Sequence, residues 1–194
     1  RKDNSDLYFF DSKSKYDIIY PGDLVHCDFG ISYLRLNTDC QQLAYVLKPN
    51  EKDAPNELKE AFEKGNRVQD LLTDSFEKGR SGNYILKKAL NLGFKEGLRP
   101  QIYTHPLGLF GHSAGTTIGM WDSQQGVKGS GEYLLNFNTA YAIELNTKVY
   151  IKSWKKDVRI MLEEAGYFDE RGFRYINGRQ NKLILIGEKT GNIH

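Results

Sequence analysis

Both cysteines of the chain and two of its aspartates fall within CDFGISYLRLNTDC, residues 27 to 40, as a Cys-Asp pair at one end and an Asp-Cys pair at the other. If the flanking runs form an antiparallel pair in which Asp28 faces Asp39, the two carboxylates project from one side, because side chains alternate along a strand and cross-strand partners share a face. Carboxylates that close repel each other unless a proton or a cation lies between them. The pattern therefore points to a metal; the plainer alternative is a pair of turn and strand-end aspartates. In the same register Cys27 faces Cys40 on the opposite side. Two reduced, buried thiols packing as small hydrophobes are expected there, with a cross-strand disulfide as the geometric alternative.

Further acids and imidazoles extend the series. His105 and His112 bracket the glycine-rich HPLGLFGH, Glu144 interrupts the apolar run AYAIEL, and Glu163 and Glu164 lie in VRIMLEEAGYF. An unpaired charge inside such apolar runs is costly to bury. Several carboxylates with one imidazole suit hard or borderline divalent ions such as Mn, Co, Fe or Zn, and carboxylates can bridge two of them. No HExxH or CxxC zinc spacing occurs. His26 shares the strand parity of Asp28 and reads as a packed strand histidine or as a partner behind the ligands. Trp121 reads as a cleft wall or as surface packing, and Arg159 as a solvated strand residue or a carboxylate partner.

The elements that must position these groups follow from periodicity. Residues 18 to 47 are rich in β-branched and aromatic residues and punctuated by Pro21-Gly22 and Gly30, which predicts a hairpin or meander. From Pro55 the period changes to 3.6, with Leu58, Ala61, Phe62, Val68, Leu72 and Phe76 on one stripe, which predicts a helix to Gly79. A second helix is expected from the N-cap Ser81 to Gly93. Strands resume in NTAYAIELNTKVYI and WKKDVRIMLEEAGYF, and FRYINGRQNKLILIG suggests two strands about an Asn-Gly turn. This order predicts an α+β fold, an antiparallel sheet with two amphipathic helices over one face.

With 194 residues, 39% of them hydrophobic and 12% aromatic, the chain suits one domain over residues 1–194 with a sizeable core. Its net charge of +2 gives no nucleic-acid footprint and no electrostatic membrane anchor, so a small molecule, a peptide or a protein is the expected partner. No apolar run approaches the roughly 20 residues that span a bilayer. The start RKDNSDLYFF lacks the apolar region of a signal peptide, and a cytoplasmic location is expected. The chain opens on Arg1 rather than Met, which leaves a removed leader or a preceding domain open.

In PGDLVHCDFG, NTDCQQLAYVL, HPLGLFGH, AIELNTKVYI and VRIMLEEAGYF the chain resembles the pita-bread metallopeptidases, the family of methionine aminopeptidase, aminopeptidase P, prolidase and the metal-free relative creatinase. The resemblance runs over about residues 20 to 186 and, through HPLGLFGH, is nearest to the Xaa-Pro aminopeptidase and prolidase branch. It implies a curved antiparallel sheet covered by helices, here as an N-terminally truncated catalytic domain without the helix that usually precedes the first strand. It implies two divalent ions, with Asp28 chelating one, Asp39 and Glu163 bridging both, and His105 and Glu144 completing the shell. A hydroxide held between the ions would attack the scissile carbonyl of an N-terminal Xaa-Pro bond, Glu144 would shuttle the proton, and His112 would hydrogen-bond substrate or the tetrahedral intermediate. Relatives are often dimers, so a homodimer is expected by analogy.

The resemblance is incomplete at three places. The family's Val-Arg-Ile-Glu run is interrupted by Met161 and Leu162 before Glu163. Glu163 keeps the strand parity of Arg159 and is preferred over Glu164, with Gln180 as a poorer alternative that would cost one bridging carboxylate. Residues 1 to 22 contain no histidine to match the one that often binds substrate in the family, and the leading helix is missing. The alternative function is a catalytically inactive binding module that keeps the fold and has lost full metal ligation.

Overall fold

The computed structural model describes residues 18–187; the leading segment expected to lack a helix falls outside them. Strand β1 (Leu24–Phe29) pairs antiparallel with β4 (Cys40–Val46), and between them stands a small hairpin of β2 (Ser32–Tyr33) and β3 (Leu36–Asn37). Leu34 and Arg35 turn that hairpin with φ of 47° and 66°, the left-handed backbone that a tight two-residue turn requires. The insertion sets the register. Asp28 lies opposite Gln41, not Asp39, and Cys27 opposite Gln42, not Cys40. Each expected pairing is displaced by two residues, a shift that preserves parity. The aspartates therefore stay on one face as diagonal neighbours, with the cysteines on the other. Both thiols are free; Cys27 is exposed and Cys40 half-buried, because this end of β1 and the whole inserted hairpin stand at the surface.

Helix α1 (Asn56–Thr73) buries Leu58, Ala61, Phe62, Gly65, Val68 and Leu72. It stops at Thr73 rather than Gly79, because the chain tightens into three-residue turns in which Ser75 N donates to Leu72 O at 3.0 Å and Phe76 N to Thr73 O at 3.1 Å. Phe76 thereby leaves the helical stripe and meets Tyr141, Phe168 and Phe173 edge-on at centroid distances of 5.3, 5.6 and 5.4 Å. Helix α2 (Gly82–Lys95) starts as expected on Ser81, whose side chain accepts from Tyr84 N at 3.2 Å. It runs past Gly93, which is a packing residue: a Cβ there would sit 2.9 Å from Pro100 Cγ.

Strands β5 (Pro100–Ile102), β8 (Leu145–Ile151) and β9 (Lys156–Leu162) form one antiparallel sheet in the order β5-β8-β9. Strands β6 (His105–Pro106), β7 (Thr139–Ala142), β10 (Ala165–Asp169) and β11 (Gly172–Tyr175) form another, in the order β11-β10-β7-β6. Three passages of chain run from one sheet into the other, at residues 103–104, 143–144 and 163–164. Hydrogen bonds between passages, Tyr103 N to Glu144 O at 3.0 Å and Ile143 N to Glu164 O at 2.9 Å, line them up as one crease. The two sheets are thus halves of a single bent sheet. Helix α1 packs across β8 and β9, and α2 against β5 and α1.

The turn and both strands expected about Asn177-Gly178 form, but the two strands do not pair with each other. The chain turns at Gly178, with φ of 74°, but β12 (Ile184–Ile186) crosses over to pair parallel with β4. Gln180 reinforces that crossing: its Oε1 accepts from Leu43 N at 2.9 Å and its Nε2 donates to Leu43 O at 2.6 Å, a side-chain substitute for a ladder pair. The α+β class holds, with this one parallel pairing among the described strands.

Because Phe76 joins three aromatic partners where α1 ends, Phe76→Ala is expected to lower unfolding stability by about 2–4 kcal/mol in urea titrations, slightly less than for a fully buried Phe.

Candidate metal centre

The crease is where the chemistry-bearing residues converge. His105 opens β6, Glu144 lies between β7 and β8, and Glu163 lies between β9 and β10, so each comes from a place where the ladder changes sheet. Beside the crease, Gln41 N donates to Glu163 O at 3.0 Å and ties β4 to it, which brings the aspartate strands over the same spot. Ligand atoms of His105, Glu144 and Glu163 lie within 4.8 Å of one another, as do those of Asp28, Asp39 and Glu163, and those of Asp39, His105 and His112. Asp39, His105 and Glu163 each belong to two of these groups. Burial is graded: His105, Glu144 and Glu163 form a buried floor, Asp39 is half-buried, and Asp28 and His112 are exposed at the mouth.

Two buried polar atoms on the floor face each other with no hydrogen bond. His105 Nδ1 lies 3.3 Å from Pro106 O, and the carbonyl can only accept, so Nδ1 carries the hydrogen and, in the neutral ring, Nε2 presents its lone pair. That Nε2 lies 3.7 Å from Glu163 Oε1 and 3.7 Å from Glu144 Oε2, and both Nε2 and Glu163 Oε1 are buried without a partner. A lone pair aimed at two carboxylates is an arrangement that a proton or a cation completes. A donor set of carboxylates and one imidazole fits divalent ions of the Mn, Co, Fe and Zn kind.

Titration follows the same crowding. Burial lowers the proton affinity of His105, but Glu144 and Glu163 more than offset it and hold the imidazole up at about 9. Burial pushes the Glu163 carboxyl upward. Partial desolvation raises Asp28 and Asp39; Glu144 adds to the rise at Asp28, while His105 partly offsets it at Asp39.

Of the candidates for the fifth ligand, only Glu163 stands in these groups. Glu164 accepts from Gln42 Nε2 at 3.1 Å and from Gln180 N at 2.6 Å, and the Gln180 amide is taken by Leu43, so both act in holding β4 to its neighbours. Arg159 sits along β9 opposite Lys148. His112 packs its ring 4.3 Å from that of His105 and stacks at 5.8 Å and 8° on Tyr103, which also meets His105 at 5.2 Å and Trp121 edge-on at 5.9 Å. Tyr103 and Gln41 are contributors that motif reading passes over. Gln41 had a signal: a polar residue at an inward position of an alternating strand, 1% exposed in the structure.

A profile of metallopeptidase family M24 matches residues 2–166. Among curated protein sequences none matches the chain significantly. The solved X-Pro aminopeptidase from Thermotoga maritima MSB8 is 18% identical with a TM-score of 0.65, over 87% of this chain and 43% of that one. The prolidase from Pyrococcus horikoshii OT3 is 22% identical with a TM-score of 0.60, over 86% and 43%. The N-terminal domain of the FACT complex subunit SPT16 from Cicer arietinum (chickpea) is 11% identical with a TM-score of 0.62, over 92% and 42%. The likeness shows the fold, a partial pita-bread domain, and the chain spans less than half the length of each of these structures.

The approach of the two aspartate strands depends on Gly30, where a Cβ would lie 2.3 Å from the Thr38 carbonyl oxygen. Gly30→Ala must displace the backbone that carries Asp39. It is expected to destabilise the fold by about 1–3 kcal/mol and to weaken cobalt(II) binding about tenfold or more by calorimetry.

Proposed function

Because the chain belongs to metallopeptidase family M24, we propose that it is a peptidase that hydrolyses the bond between an N-terminal residue and a following proline, using two divalent ions held by Asp28, Asp39, His105, Glu144 and Glu163. The observation that carries this reading is the buried, unpartnered Oε1 of Glu163, which faces an equally unpartnered His105 Nε2 and belongs to a carboxylate shared between two ligand groups. Glu163 is common to the group with His105 and Glu144 and to the group with Asp28 and Asp39, so these five residues would be able to hold a pair of ions between them. The preference for proline draws on the resemblance of HPLGLFGH and on structural neighbours named as an X-Pro aminopeptidase and a prolidase.

Bound divalent ions supply the Lewis acidity that polarises a scissile carbonyl and lowers the pKa of a water beside it. The chain's own residues do the rest. The buried floor excludes solvent beneath the reacting groups, and the exposed edge of Asp28 and His112 is the side from which a peptide enters. Glu144, a carboxylate facing that space, takes a proton from the attacking water and delivers it to the departing amine. His112, fixed by its stack on Tyr103, donates a hydrogen bond to the substrate carbonyl as charge builds on its oxygen.

Purified protein supplied with Mn(II) or Co(II) is expected to retain at least one ion per chain by metal analysis and to cleave an Xaa-Pro peptide. Asp39→Asn and Glu163→Gln are each expected to lower cleavage more than about 100-fold, removal of a ligand costing more than the 10–100-fold typical of an outer partner. Retention well below one ion per chain without cleavage would overturn the reading in favour of a binding module that keeps the fold. Undiminished cleavage by Asp39→Asn would reject its bridging role.

A further inference from the structure

Glu144 and Glu163 are both buried at the crease, but their oxygens are not in equivalent surroundings. Glu163 Oε1 has no hydrogen-bond partner. Glu144 Oε1 accepts from Gln41 Nε2 at 2.8 Å, while Glu144 Oε2 is the oxygen that lies 3.7 Å from His105 Nε2. Gln41 is 1% exposed, and both ends of its amide are engaged: Oε1 lies 2.9 Å from His26 Nε2. A carboxylate only accepts, so the amide must turn its NH2 group to Glu144 and its oxygen to His26, and His26 must carry its hydrogen on Nε2. The backbone of the same residue donates to Glu163 O at 3.0 Å. One side chain and its own peptide group thus reach both buried acids.

We infer that Gln41, oriented by His26, is a positioning residue that engages Oε1 of Glu144, so that Oε2 is the oxygen left to face a cation in the site. The inference rests on the metal-site reading above and deepens it. Partners one layer behind metal ligands orient them and tune their donor strength, and here the neutral amide does so without adding charge to an already crowded set of acids. Motif reading has no purchase on it, because the donor comes from β4 and its acceptor is Glu144, distant in the chain; the bridge between Gln41 and Glu163 that ties β4 to the crease brings the inward amide over it.

The test is cobalt(II) chloride titration of the full chain, read by calorimetry and by the visible absorption of the bound ion. Gln41→Met keeps the length of the side chain and removes the donor. It is expected to bind cobalt(II) about 10–100-fold more weakly, with altered visible bands as Glu144 turns to offer both oxygens. Wild-type affinity and an unchanged spectrum in Gln41→Met would overturn the inference while leaving the metal site in place. Absence of cobalt(II) uptake by the wild-type chain would overturn the site reading and this inference with it. Should Gln41→Met lose its fold by circular dichroism, His26→Phe decides the matter from a half-buried position. It is expected to bind about 3–10-fold more weakly with the melting temperature of the metal-free protein unchanged, and full retention of affinity would overturn the inference.

Discussion

Four carboxylates converge on one imidazole at the bend of a sheet, and most of the architecture can be understood as what it takes to hold them there. Asp28, Asp39, Glu144 and Glu163 would repel one another if all were ionised and alone, and burial makes the repulsion stronger by removing water from between them. The fold offsets this with contacts that carry no countercharge. Gln41 satisfies one oxygen of Glu144, backbone amides tie the three crossing passages together, and the Pro106 carbonyl fixes the imidazole of His105. What remains unsatisfied is confined to the small space that the ligand atoms enclose.

The crease explains why these positions, and not their neighbours, carry the acids. Where a strand passes from one sheet half to the other, its ladder is interrupted, and a side chain at the break can turn toward the concave side without displacing a core residue. Glu144 follows Ile143 and precedes Leu145, both fully buried, and Glu163 follows the fully buried Leu162. The apolar flanks anchor the strand while the acid between them reaches into the site. Helix α1 backs this arrangement closely: a Cβ on its Gly65 would come within 2.7 Å of Ile160 and 2.9 Å of Leu162, so the helix axis lies almost against β9.

Some of this is legible in the residues alone and some is not. The parity of Asp28 and Asp39 follows from the strand period and survives whatever the register is, provided the shift is even; the register itself depends on how the ten intervening positions fold, and Leu34 and Arg35 in left-handed backbone carry no glycine or asparagine to announce a turn. The 3.6 period locates α1 but not its end, since Phe76 continues the stripe while serving an aromatic cluster built by strands far along the chain. Gly93 looks like a helix stop and is instead a point of close approach to Pro100. The Asn-Gly pair at 177–178 does mark a turn, yet a local turn signal cannot say that the following strand seeks β4 rather than β11. For the site, residue types and spacing single out Asp28, Asp39, His105 and Glu144 as candidates, whereas the choice among Glu163, Glu164 and Gln180 needs the hydrogen bonds that occupy the latter two.

The clasp of Gln180 on Leu43 and the parallel pairing of β12 with β4 join residues separated by more than a hundred positions. Hairpins such as β8–β9 close over short loops, and their contacts can form early; a clasp across so long a loop must wait until the chain between has compacted, because the entropy of bringing distant segments together is spent before the contact returns anything. Closing the aspartate strands over the crease therefore carries a loop-closure cost that the local hairpins do not. Part of what offsets that cost is an amide that touches no reacting atom, the Gln180 side chain on Leu43.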